Sequence, residues 1–140
     1  MPNFPTIHDF NVGDRKSITR KITQELVASF ADLIGDHDPI HTDPEYAKTT
    51  IYGRNIVHGV YLDCCISALL TAWPTGGVDC SFLVKYTAPV FVGDTLTITG
   101  TVREVKEERY RVYIDTVITN QDGVVVEKGE AVVKTEDGLK

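Results

Sequence analysis

The sequence predicts one α+β domain in which a single apolar helix is wrapped by an antiparallel sheet of about five strands. Three observations carry that expectation. The first half, to about Trp73, shows helical spacing broken by proline and glycine. The second half is rich in Val, Ile, Thr, Tyr and Phe in strand-like alternation, and the breaks between its strands are short, which implies antiparallel neighbours. A length of 140 residues suits one domain with a proper core and is too short for two.

Taken in order, "DRKSITRKI" reads as an early strand that joins the sheet. "TRKITQELVASFADLIGD" then places Ile22, Leu26, Phe30 and Leu33 at spacings of three and four, one face of a helix. Thr23 is its expected N-cap, with Glu25 adding acid to the first turn, and Gly35 ends it. "HGVYLDCCISALLTAW" is the next helix, with Asp63 its one charge. A helix apolar on nearly every side is expected to be enclosed on nearly every side. It stops at Pro74, with Gly76 and Gly77 in the turn. "VDCSFLVKYTAPVF", "DTLTITGTVREVKEE", "YRVYIDTVITNQDG" and "VVVEKGEAVVKTE" read as the remaining strands. An edge of such a sheet, or its far side, is a natural place for a second copy to dock, so a homodimer is expected.

The bulk chemistry excludes several functions. A net charge of −6 offers no basic face to phosphates, and "REVKEERYR" alternates in sign, so nucleic acid is not an expected partner. "MPNFPTIHDF" has neither the basic nor the apolar region of a signal peptide, and no apolar run approaches the roughly 20 residues that cross a bilayer. Cys64, Cys65 and Cys80 are odd in number and lack a Cys-x-x-Cys pair; they fit a reducing cytoplasm, as small buried residues.

"GDHDPIHTD" gathers the titratable chemistry. A metal site would take His37 and His41 with Asp36, Asp38 or Asp43, but Pro39 breaks the helix that would align the two imidazoles. A calcium loop fails because His41 stands where its glycine is needed. A second reading is a capped loop, with Asp36 or Asp38 capping a turn begun by Pro39, Asp43 capping a short helix begun by Pro44, and His41 a satisfied core histidine. A third is an acid–base pair: Asp36 and His41, five residues apart across Pro39, could share a pocket and a water. In its favour, the helix from about Gly59 starts with free N–H groups and the positive end of its dipole, suited to a carbonyl oxygen gaining charge.

"FADLIGDHDPIHTDPEYAKTTIYGRNIVHGVYLDCCISALL" resembles the hydratase 2 signature of the MaoC-like dehydratases, the (R)-specific 2-enoyl-CoA hydratases, and "KYTAPVFVGDTLTITGTV" resembles the strand that follows in that family. The resemblance implies a hot dog fold, dimeric, and syn addition of water to a trans-2-enoyl thioester. It implies no metal or redox cofactor; coenzyme A or acyl carrier protein is the handle of the substrate. By the same resemblance Asp36 and His41 are the catalytic pair holding the water, and the Gly59 N–H binds the thioester oxygen. Ser67 falls on a serine near the site, or is a small helix-packing residue, and His58 supports the loop.

Two positions depart from the family pattern. Asp38 replaces an asparagine, and a second carboxylate beside Asp36 is expected to push one of the two pKa values upward. Asn55 replaces a proline and is expected to loosen the loop entering the helix. By this resemblance the leading expectation is an (R)-specific enoyl-CoA hydratase. Alternatives are a dehydratase on carrier-protein-bound 3-hydroxyacyl chains, a non-catalytic acyl-thioester-binding subunit and a thioesterase. Like charge disfavours docking of an acidic carrier protein.

Overall fold

The computed structural model describes residues 3–73 and 76–140. Pro74, the expected stop of the apolar helix, lies outside the described residues. The chain begins its sheet with β1 (Arg15–Lys21) and follows it with four helices: α1 (Gln24–Ile34), α2 (Pro39–Thr42), α3 (Pro44–Lys48) and α4 (Gly59–Ala72). It then returns to the sheet as β2 (Val78–Tyr86), β3 (Thr95–Lys106), β4 (Arg111–Thr119) and β5 (Val125–Lys134). All pairings are antiparallel, in the order β1-β3-β4-β5-β2. This is the hot dog arrangement: α4 lies along the inner face of a five-stranded sheet.

Side-chain burial explains the wrap. Leu62, Cys65, Ile66, Leu69 and Leu70 of α4 are buried in one core with Leu96 and Ile98 of β3, Val112, Ile114 and Ile118 of β4, and Val126 and Val133 of β5. Each fully buried Leu or Ile contributes about 2 kcal/mol. Among the described residues, no helix is long and apolar enough to cross a membrane.

Helix α1 starts and stops as its sequence predicts. The Thr23 hydroxyl accepts the Leu26 N–H at 3.1 Å, and Gly35 closes the helix at φ 79°, a left-handed conformation that favours glycine. Its buried face differs from the expected one. Val27, Phe30 and Ala31 are buried, whereas Leu33 is 82% exposed. Ile22 is buried but precedes the helix. At 3.6 residues per turn, Leu33 points roughly 110° away from the centre of the buried stripe.

The expectation that α4 is enclosed on nearly every side is corrected for the single chain. Val60, Cys64, Ser67 and Thr71, at spacings of four, three and four, form an exposed stripe. The cysteines divide accordingly: Cys65 faces the core, while Cys64 lies on the open stripe and Cys80 on the edge strand β2, both exposed. Burial pushes the Cys65 thiol pKa up to about 11.

Candidate active site

The loop between α1 and α4 is built from short-range caps. Pro39 opens α2, with Asp38 as its N-cap: the Asp38 carboxylate accepts the Ile40 N–H at 3.2 Å. Asp43 caps α3 in the same way, accepting the N–H groups of Glu45 and Tyr46 at 3.0 and 3.2 Å. The break at Pro39 also separates the two histidines. His37 turns outward to Asp32 at 2.8 Å, while His41 turns inward.

His41 meets Asp36 there, with Nε2 and Oδ2 4.0 Å apart. The His41 Nδ1 lies 2.8 Å from the Ile56 carbonyl, which can only accept, so Nδ1 carries the proton and Nε2 faces the carboxylate as the exchangeable position. Asp36 Oδ1 is occupied by the Asp38 N–H at 3.1 Å. The carboxylate is half exposed and the imidazole largely covered.

His58 completes the cluster. Its ring is buried, donates from Nε2 to the Asp36 carbonyl at 2.9 Å, and stacks on His41 with centroids 3.8 Å apart. Phe30 packs edge-to-face with the His58 ring, 5.2 Å between centroids. Donor atoms of Asp36, His41 and His58 lie within 4.8 Å of one another, so His58, not His37, is the second imidazole available to a cation. Yet stacked rings 26° from parallel hold their in-plane lone pairs side by side, a poor geometry for converging on one ion.

Gly59 opens α4 immediately after His58. Its N–H belongs to the first helical turn, whose donors have no intrahelical acceptor. A Cβ at this position would stand 3.1–3.3 Å from the ring carbons of Tyr86, so the ring would have to give by a few tenths of an ångström. Gly59, Tyr86, Ile56, Leu62, Tyr52 and Pro89 are among the residues around a cavity of about 330 Å³. Asp36 and His41 do not line that cavity; they adjoin it through Ile56 and the His58–Gly59 step. Ser67 is exposed on the open stripe of α4 and does not line it either.

Asn55 overturns the expectation of a loosened loop. It is buried, and its side-chain amide lies within 3.3 Å of the carbonyls of Pro39, Ile40 and Asp43. These are the carbonyls of the segment that carries His41, so the amide ties the segment to the α4 approach. Asp38 likewise acts through its cap and its N–H to Asp36. Two features were not foreseen: the Ile56 carbonyl that orients His41, and the contact between Asp63, Tyr86 and Glu127 described below. The one sequence signal for the latter was an acid following three valines in "VVVEKGE".

Residues 9–124 match the family model described as MaoC like domain. The chain is 35% identical over 125 residues to an (R)-specific enoyl-CoA hydratase of Aeromonas caviae, covering 88% of this chain and 93% of that one. It is 36% identical over 128 residues to a 3-hydroxybutyryl-CoA dehydratase of Methylorubrum extorquens, covering 90% and 81%. Among solved structures, an unliganded R-hydratase from Pseudomonas aeruginosa superposes with a TM-score of 0.88 at 31% identity, over 94% of this chain and 86% of that one.

Proposed function

Because the chain belongs to the family of MaoC-like domains, we propose that it adds water to trans-2-enoyl-CoA thioesters, giving the (R)-3-hydroxyacyl product, and catalyses the reverse dehydration. Relatives named for these two reactions, at 35% and 36% identity over most of the chain, support the reading. The observation that carries it is the 4.0 Å gap between Asp36 Oδ2 and His41 Nε2 beside the start of α4. Two hydrogen bonds of about 2.8 Å span such a gap with one water oxygen between them.

The steps follow from the partners. With Nδ1 held by Ile56, His41 presents Nε2 to the water, and Asp36 presents Oδ2. The water oxygen forms a bond to the β-carbon while the pair takes up one water proton and returns one proton to the α-carbon. Holding the water and the returning proton on one face of the substrate makes the addition syn. The Gly59 N–H donates to the thioester oxygen, drawing electron density from the β-carbon and stabilising the enolate-like charge as it develops. Water, a carboxylate, an imidazole and a backbone N–H supply all the groups this addition needs, and coenzyme A enters only as part of the substrate.

The active unit is a homodimer. The open stripe of α4, which includes Val60 and Cys64, and the unpaired backbone edge of β2 are the parts of the chain that a second copy would cover. The deciding experiment follows the loss of enoyl-thioester absorbance with crotonyl-CoA, with chiral analysis of the product. Turnover to the (R)-alcohol, abolished in both Asp36→Asn and His41→Ala, is the expected result. A folded wild type inert on CoA-bound and carrier-bound enoyl chains alike would overturn the reading.

A further inference from the structure

A second cluster of polar side chains stands next to the proposed site, and the water-adding chemistry makes no use of it. Its members come from three elements. Asp63 lies one turn beyond Gly59 on α4, and Tyr86 and Glu127 are directly paired across β2 and β5, so both side chains project from the same face of the sheet. The Tyr86 hydroxyl donates to Asp63 Oδ2 at 2.8 Å. Glu127 is fully buried, and neither of its oxygens has a donor; Asp63 Oδ1, also buried, has none.

Three unpartnered buried carboxyl oxygens are costly as two carboxylates, and one proton placed between Glu127 and Asp63 removes one charge and gives two of the three a partner. Glu127 lies within hydrogen-bonding reach of Asp63, and burial, followed by that contact, pushes its pKa up to about 8. A protonated Glu127 therefore donates to Asp63, which in turn accepts from Tyr86. Burial and the same Asp63 contact also raise the Tyr86 pKa, keeping its hydroxyl a donor.

The chain of contacts ends at the site. The Tyr86 ring is set against the Gly59 backbone so closely that a methyl group on Gly59 would make the ring give by a few tenths of an ångström, and both residues line the cavity. We propose that Asp63 and Glu127 act as positioning residues for Tyr86, and that the ring they hold limits the room beside the Gly59 N–H, selecting thioesters unbranched at the α-carbon. This rests on the hydratase reading of Gly59. The α-carbon is bonded to the carbon whose oxygen meets that N–H, so a substituent there competes with the ring for the same space.

The test compares crotonyl-CoA with trans-2-methylbut-2-enoyl-CoA. Removing the ring in Tyr86→Ala is expected to raise the kcat/KM of the branched substrate relative to the straight one by about tenfold, the effect of one methyl group in a closed pocket. Tyr86→Phe keeps the ring and loses the tether, and is expected to shift the ratio in the same direction by less. Asp63→Asn retains an acceptor for the tyrosine hydroxyl and should hold the wild-type ratio, whereas Asp63→Ala should shift it; a merely structural role would not separate these two. If Tyr86→Ala does not fold, Tyr86→Leu takes its place.

The same discrimination is read without turnover, by calorimetric affinities for butyryl-CoA and 2-methylbutyryl-CoA. A wild type that binds both but hydrates neither enoyl analogue sinks the hydratase reading, while the affinity ratio still judges Tyr86. An unchanged ratio in the ring-deleted variant overturns the proposal, as does a wild type that binds neither thioester.

Discussion

The imidazoles of His41 and His58 stack with centroids 3.8 Å apart and planes inclined by 26°. One ring is thereby the floor on which the other is placed. His58 also donates to the carbonyl of Asp36, so a single buried side chain fixes both members of the proposed water-holding pair. It needs no contact with substrate to control the reaction.

His58→Ala should therefore lower kcat much more than it changes KM, by about a hundredfold if the pair shifts by an ångström. It should also destabilise the fold by about 1–3 kcal/mol, because the Asp36 carbonyl loses its donor. Steady-state kinetics beside urea unfolding would separate the two effects, and a kcat equal to wild type would refute the floor role.

Asp38→Asn should be nearly silent. Asparagine caps a helix start as well as aspartate does, and the backbone N–H that Asp38 gives to Asp36 is unaffected. Asp38→Ala removes the cap and should cost about 1 kcal/mol. Turnover in the Asn variant within about twofold of wild type, with the Ala variant less stable to urea, is the expected pattern.

Asn55→Ala leaves three carbonyls of the α2 segment without the amide that gathers them. A loss of about 1–3 kcal/mol is expected, with faster hydrogen exchange in residues 39–43 as the local signature. Exchange there at the wild-type rate would mean the amide ties nothing down.

Glu127 makes stability depend on pH in a definite direction. Its folded pKa is raised from 4.5 to about 8, so below about 4.5 both folded and unfolded chains hold the proton. Between the two values only the folded chain does, and its contribution is lost progressively as pH rises. Burial and the Asp63 carboxylate beside it both disfavour a charge on Glu127. Melting temperatures at one protein concentration should fall across this window in wild type and fall less in Glu127→Gln. Parallel curves would contradict the protonated state.

Thiol labelling tests the dimer. Cys80 and Cys64 are both exposed in one chain, and Cys65 is buried. A second copy lying on the open stripe of α4 would shield Cys64, so the dimer peak from size exclusion should react more slowly at Cys64 than a dilute monomer does. Equal rates at Cys64 would place the partner elsewhere.

The features legible in the sequence are those decided by a few adjacent residues. Thr23, Gly35, Asp38 and Asp43 behave as caps because a side chain reaches N–H groups two or three positions away, or a glycine takes a left-handed turn. Leu33 and Cys64 read as core from their type, but burial depends on which side of a helix meets the sheet, and both fall on the open side. Asn55 read as slack because its three carbonyl partners sit 12–16 residues back along the chain. The meeting of Glu127 with Tyr86 and Asp63 depends on the β2–β5 register, which no local pattern announces.

The strand order carries a consequence for how the protein is made. β3, β4 and β5 are successive neighbours and can zip together as hairpins, but β2, synthesised before them, lies against β5. As the chain leaves the ribosome, Tyr86 waits for Glu127 through roughly forty further residues, a delay of seconds at ordinary translation rates. Throughout that delay α4 has only a partial sheet to lie on. The nascent chain passes through a stage with its most apolar helix uncovered, a natural client for a chaperone that holds such segments apart until the last strand arrives.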